Sequence, residues 1–193
     1  LLADSKKQLD ESKAQLDDAK KQLDETAALL SDSKKQLDDS KVQLDDAKKQ
    51  LDEGKVQLDA AEKQLSDSKK QLDDSRAQLD ESQKTIDESR TQIAAAVAMG
   101  LMTEEQAAQK NAQLDEAQRQ VDIGEQQYAD GLSAYNTGKA EFDAKKQQYE
   151  TSLAQYNEGK AQYDSGLAQY NEGKAQYDSG LAQYNEGKAQ YDS

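Results

Sequence analysis

A large apolar residue recurs every seven positions along almost the whole chain, and this period constrains the fold more than any other feature. In the first half the series is Leu9, Leu16, Leu23, Leu30, Leu37, Leu44, Leu51, Leu58, Leu65, Leu72, Leu79, Ile86 and Ile93. In the second half it is Leu114, Val121, Tyr128, Tyr135, Phe142, Tyr149, Tyr156, Tyr163, Tyr170, Tyr177, Tyr184 and Tyr191. Three positions after nearly every one comes Ser, Ala, Thr or Gly. This strict period within each series predicts a left-handed coiled coil with the large residue at heptad position a and the small one at d.

The two series are separated by residues 94–106, which carry signals for a helix end followed by a helix start. Gly100 is placed as the glycine that follows a helix C-terminus, and Leu101 after it is positioned for the accompanying apolar contact. Thr103 and Gln106 form the pattern of a capping box that starts a new helix. We therefore predict an all-α chain, with one helix over residues 1–99, a turn at the tip over 100–103 and a second helix over 104–193.

The sizes of the side chains predict that the two helices run antiparallel. In a parallel pair a faces a, so crowded Leu–Tyr layers would alternate with nearly empty Ser–Gly layers. In an antiparallel pair a faces d, and each layer combines one large and one small residue, as close packing requires. This pairing also offsets the cost of glycines inside the second helix, about 1 kcal/mol each relative to Ala. The expected architecture is one antiparallel coiled-coil hairpin.

The period and the turn together predict the register. Each layer pairs two residues whose numbers sum to a multiple of seven, and a turn centred between Leu101 and Met102 makes that sum 203. The expected seam pairs are Leu79 with Gly124, Leu72 with Gly131, Leu44 with Gly159, Leu16 with Gly187, Tyr149 with Gly54, Tyr163 with Ser40 and Tyr184 with Ala19. Leu58 faces Lys145, whose stem must extend outward, so we expect local widening or a bend there.

Charge and composition exclude several classes of function. The 39 acidic residues outnumber 25 basic ones and give a net charge of −14, which argues against nucleic acid or anionic lipid as a partner. The chain has no His, Cys, Trp or Pro, and a two-helix seam is expected to offer no pocket that could perturb a catalytic group. We therefore predict no catalytic residues, no cofactor and no metal site. The acidic residues are interpreted as a solvated face with ion pairs such as Asp17/Lys20, Asp38/Lys41 and Asp45/Lys48.

Four apolar residues at the turn lie outside the heptad pattern: Val97, Met99, Leu101 and Met102. Methionine suits adaptable contact surfaces, so one hypothesis is that these residues form a partner-binding site at the tip. The alternative is that they only close the hairpin, as a C-cap contact and an N-terminal staple.

Runs such as KKQLDDSKVQLDDAKKQLDEGKVQLD and YNEGKAQYDSGLAQYNEGKAQYDSG resemble the extracytoplasmic coiled-coil insertions of bacterial FtsX-like (MacB-like) ABC transporter permeases. The resemblance covers essentially the whole chain. It implies a stalk on the extracytoplasmic side of the cell membrane, attached to the membrane only through flanking segments. The implied partner is a protein of the cell envelope or a second copy of the hairpin. A second resemblance is to the external segments of YhgE/Pip-type membrane proteins.

Several alternatives follow from these features. The stalk either docks or mechanically couples to an envelope partner or substrate, or serves as a passive spacer. A cytosolic scaffold is a third possibility. The chain begins and ends within a repeat, so we expect it to be a piece of a longer protein. A near-identical 14-residue unit begins at Leu153, Leu167 and Leu181, which indicates that length was adjusted by duplication.

Overall fold

The computed structural model describes residues 2–192 and contains two long α-helices joined by a short turn. Helix α1 spans Leu2–Ala98 and helix α2 spans Glu104–Asp192. The described residues include no β-strand, so the predicted all-α hairpin is confirmed. Met99, expected as the last residue of the first helix, belongs to the turn. The outer bounds expected at residues 1 and 193 lie outside the described part of the chain.

The chain divides into two packed units, each built from one segment of α1 and one segment of α2. The first unit contains residues 2–53 and 150–192 of the described chain, and the second contains Gly54–Tyr149. Within the first unit, residues near the two ends of the chain lie together, since Leu16 lies against Gly187. The second unit contains the turn.

The contacts at the helical glycines confirm the register predicted from the sequence. A methyl group placed on Gly131 would lie 3.1 Å from Leu72 Cδ2, and one on Gly159 would lie 3.4 Å from Leu44 Cδ2. Gly54 faces Tyr149 in the reciprocal arrangement, at 3.6 Å from its Cδ2 atom. The two residue numbers sum to 203 in each of the nine helical glycine pairs. The large residues of one helix therefore cover the small residues of the other, as the antiparallel arrangement requires.

The hydroxyl groups of the small polar residues in the seam form hydrogen bonds within their own helix. Ser12, Ser40 and Ser82 each donate a hydrogen bond to the carbonyl oxygen four residues earlier, at 2.7–2.9 Å. Thr26 does the same with Gln22, at 2.7 Å. These side chains therefore stay compact and leave room for the facing large residue. Among the described residues that are not exposed, no buried side-chain polar atom lacks a partner.

The ion pairs on the helix surface differ from the prediction at Asp17/Lys20, Asp38/Lys41 and Asp45/Lys48. Lysine pairs instead with the aspartate four residues later: Lys20 with Asp24 at 2.6 Å, Lys34 with Asp38 at 2.8 Å, Lys41 with Asp45 at 2.7 Å, and Lys48 with Asp52. A residue four positions on is rotated only about 40° around the helix axis, against about 60° for three positions. The short aspartate side chain favours the smaller offset. Acid-first pairs at three positions do form with the longer glutamate, as in Glu116 with Arg119.

Lys145 is a large charged residue at a seam position of α2, and its side chain is exposed. The facing Leu58 is half-buried. The exposure of Lys145 agrees with a stem that extends outward from the seam. The widening or bend expected at this layer stays a prediction.

Candidate partner-binding site at the helical turn

The end of α1 is closed by backbone hydrogen bonds that match the glycine placement predicted from the sequence. Gly100 has φ +70°, a left-handed conformation that favours glycine. Its amide donates to the carbonyl of Val97 at 2.9 Å, and the Leu101 amide donates to that of Ala96 at 2.9 Å. This pair of bonds is the Schellman motif, and it satisfies carbonyl groups that the helix end would otherwise leave unpaired.

The start of α2 is fixed by the predicted capping box. The Gln106 amide donates to Thr103 Oγ1 at 3.2 Å, and the Thr103 amide donates to Gln106 Oε1 at 3.1 Å. The next backbone bond, from the Ala107 amide to the Thr103 carbonyl at 3.0 Å, begins the helix. The turn is therefore defined at both ends by its own hydrogen bonds.

The structure separates the four apolar turn residues into two pairs. Met99 and Leu101 remain 69% and 77% exposed, whereas Val97 and Met102 are half-buried. The exposure of Leu101 shows that it does not bury itself against the end of α1, which is the contact expected on closing the motif. Ala107, the residue that an N-terminal staple would pair with Met102, is buried. Val97 and Met102 therefore fit hairpin closure, while Met99 and Leu101 face outward.

The surroundings of the turn are unusually poor in charge for this chain. No charged residue occurs between Arg90 and Glu104, in a sequence that is 33% charged. Glu104 and Glu105 then occupy the first turn of α2, where the helix dipole favours acids. The exposed apolar residues are consequently bordered by negative charge on the α2 side.

Below the turn, a cluster of interhelical polar contacts joins the two helices. Arg76 lies 3.3 Å from Glu125 and has its guanidinium 5.8 Å from the centre of the Tyr128 ring. Gln83 and Gln118 exchange amide hydrogen bonds of 2.6 and 3.1 Å. We call these residues, together with the Arg90–Asp115 ion pair at 2.9 Å, the clasp.

Sequence reasoning missed the clasp, although the sequence carries a signal for it. Position e of α1 holds lysine in most heptads, but Arg76, Gln83 and Arg90 occupy it in the last three heptads of α1. Arg76 binds Asp80 of its own helix at 2.6 Å and also reaches Glu125 of α2, because a planar guanidinium carries several donors. Lysines at this position bind an aspartate four residues later on α1, as Lys41 binds Asp45. Arginine or glutamine in place of lysine at this position marks where polar side chains join the two helices.

The hydrogen bonds of these lysines perturb their titration. The bond from Lys41 to Asp45 raises the pKa of Lys41 above its ordinary value, with smaller contributions from Tyr163 and Tyr156. Lys34 is affected in the same way by Asp38 and, more weakly, by Tyr170 and Tyr163. Both shifts include a contribution from Tyr163, which the register places opposite Ser40, between these two lysines.

Open grooves follow the seam in both units. In the second unit a groove is bounded by Leu65, Leu72, Tyr135 and Phe142. In the first unit, Tyr184 and Ala19 line another. Both follow the side of the seam. Among the described residues no group of three or more His, Cys, Asp or Glu side chains is arranged to hold a metal ion.

Within residues 2–192, neither helix has a stretch both long and apolar enough to cross a membrane. Comparisons with protein families, with curated proteins and with solved structures find no match for this chain. The fold and the turn therefore define its class as an antiparallel coiled-coil hairpin.

Proposed function

We propose that this chain is the extracytoplasmic coiled-coil stalk of an ABC transporter permease subunit, which docks or mechanically couples to a protein of the cell envelope. The transporter assignment rests on the resemblance of its heptads to those of FtsX-like permeases. The role is non-catalytic, and the membrane is reached only through flanking segments. The observation that carries the docking role is the pair of outward-facing apolar residues at the turn, Met99 and Leu101.

The packing of the first unit supports insertion into a host protein. Leu16 near the beginning of the chain lies against Gly187 near its end, so the two ends can enter and leave one loop of a host. The turn lies in the other unit and is the natural point of contact for a partner. Its acidic border favours a partner surface with an apolar depression and basic residues around it.

A passive spacer is the second candidate, and a specific observation favours it. The repeated unit of α2 forms nearly identical layers, with methyl positions on Gly159, Gly173 and Gly187 all 3.4 Å from the facing leucine Cδ2 atoms. Such layers can be added without altering the packing of their neighbours. The external coiled coil of a YhgE/Pip-type membrane protein would serve as such a spacer.

The docking role and the spacer role can be distinguished by substituting exposed residues of the turn without changing the length of the hairpin. In the host protein, Met99→Ser with Leu101→Ser is expected to abolish function, because the apolar contact is lost while helix and cap hydrogen bonds remain. The matched control is Val42→Ser with Val56→Ser, which changes two valines on the outer face of α1 that are 61% and 69% exposed.

Loss of function in the turn variant alone, with unchanged helicity by circular dichroism, supports docking. Full activity of the turn variant contradicts docking and leaves the spacer. Either membrane role requires that the full-length sequence contain apolar membrane-spanning segments on both sides of the hairpin.

A further inference from the structure

The heptad frame of α1 continues through the turn into α2 without a shift. Counting by sevens from Ile93 gives Gly100, Ala107 and Leu114, and Leu114 is the first large residue of the second series. A turn of arbitrary length would match this count in only about one case in seven. The heptad positions of residues 2–192 can therefore be counted in one continuous series. The turn brings the second half of that series against the first.

The register is symmetric about the point between Leu101 and Met102. Every helical glycine pair joins residues whose numbers sum to 203, so each partner is the mirror image of the other about that point. If the turn became helical, two chains lying antiparallel would form the same layers between molecules. Leu79 of one chain would cover Gly124 of the other, and Leu16 would cover Gly187. The Gln83–Gln118 contact of the clasp would be reproduced twice.

Little prevents residues 99–103 from becoming helical. They contain no proline, and Gly100 is their only glycine. The hairpin is held there by the left-handed Gly100 and by the Thr103–Gln106 capping box. At low concentration the hairpin prevails, since closing a short turn costs less entropy than bringing two chains together.

We propose that the seam is also a binding surface for a second copy of this chain, through a domain-swapped antiparallel dimer in which residues 99–103 are the hinge. Exchange of identical elements gives a dimer with few new contacts, because the intermolecular seam repeats the intramolecular one. The proposal does not depend on the transporter role.

The first test substitutes Gly100→Ala in the full chain. Alanine is strained at φ +70° and favours a continuous helix, so the dimer association constant is expected to rise about a thousandfold over the two chains. The control is Gly54→Ala, whose methyl would make an ordinary contact 3.6 Å from Tyr149 Cδ2 and which leaves the hinge unchanged. Mass is measured by light scattering over a range of concentrations. A Gly100→Ala chain that stays monomeric to millimolar concentration, like the control, overturns the proposal.

A second substitution shows whether the hinge must become helical. Proline is favoured at the first position of a helix but breaks a helix interior. Glu104→Pro therefore suits the start of α2 in the hairpin and obstructs the continuous helix. Adding it to Gly100→Ala is expected to restore the monomer. A double variant that remains dimeric overturns the swapped arrangement.

A cross-linking test uses the unaltered hinge and so does not depend on how the variants fold. Chains carrying Ala47→Cys alone are mixed with chains carrying Tyr156→Cys alone, unfolded together and refolded at high concentration. The numbers 47 and 156 sum to 203, so a disulfide between the two chains forms when the helices are exchanged. Mixed disulfides are expected, while Ala47→Cys mixed with Tyr163→Cys should give far fewer. Equal yields from both mixtures, or none from either, overturn the proposal.

Discussion

Gly124 and Gly138 both lie under leucines of α1, but they leave different amounts of room. A methyl group on Gly138 would lie 3.6 Å from Leu65 Cδ2, whereas one on Gly124 would lie 2.6 Å from Leu79 Cδ2. We expect Gly138→Ala to raise the free energy of unfolding by up to about 1 kcal/mol through helix propensity. Gly124→Ala should gain clearly less, because Leu79 must move. Urea unfolding of both variants measures the difference, and equal gains would show that the seam does not distinguish these layers.

Thr103 supplies both the hydroxyl acceptor and the amide donor of the capping box. Replacing it with alanine removes the acceptor for the Gln106 amide. We expect Thr103→Ala to lower the free energy of unfolding by about 1 kcal/mol. The matched control is Thr137→Ala within α2, where the hydroxyl bonds only to the Ser133 carbonyl of its own helix and alanine is the better helix former. Chemical denaturation that gives the same change for both variants would argue against the cap.

At the scale of the helix, the lysine–aspartate pairs predict a dependence of stability on pH. The hydrogen bond from Lys34 to Asp38 raises the pKa of Lys34 above the ordinary 10.5, as does that from Lys20 to Asp24 for Lys20. A raised folded-state pKa contributes stability that is fully present below the unfolded pKa and is lost as pH rises through the folded value. The contribution is small because these pairs are exposed.

The check compares the wild-type chain with the Asp24→Asn, Asp38→Asn double variant. The difference in their melting temperatures should be constant between about pH 8 and about pH 10 and should shrink above it. The two proteins differ only at these two positions, so effects of pH that they share cancel in the difference. A difference that stays constant from about pH 8 to about pH 12 would show that the pairs do not contribute to folding.

For the whole molecule, the register predicts which deletions are compatible with the fold. Removing residues 167–180 together with 23–36 takes out facing stretches of 14 residues, because the end residues of the two stretches pair with sums of 203. The heptads on both helices stay in frame. We expect the doubly shortened chain to keep the same helical signal per residue by circular dichroism. Removing 167–180 alone leaves part of α1 without its partner, so helicity per residue should fall. Equal helicity in the two deletions would mean that α1 does not need α2 to remain helical.

Much of this fold can be predicted from the sequence alone, because the residues that determine it recur every seven positions. The seven-residue spacing selects the coiled coil, and the alternation of leucine or tyrosine with glycine, serine or alanine selects the antiparallel pairing. Gly100 and Thr103 then locate the turn, which fixes the register. These features are local or repeat along the chain, so counting residues recovers them. The tip residues were also visible as a departure from the period.

Only the tertiary structure shows which polar side chains form contacts between the two helices and which turn residues are exposed. Arg76 reaches Glu125 and Tyr128, and Lys41 binds Asp45 rather than the predicted Asp38, because these contacts depend on side-chain length and angular offset. In the sequence, Val97, Met99, Leu101 and Met102 are all apolar residues outside the heptad pattern, and nothing there distinguishes the exposed ones. The path of the backbone through the turn, set by the left-handed Gly100, leaves Met99 and Leu101 exposed and the other two half-buried. A heptad count carries no information about that path, since it specifies only which residues of the two helices face one another.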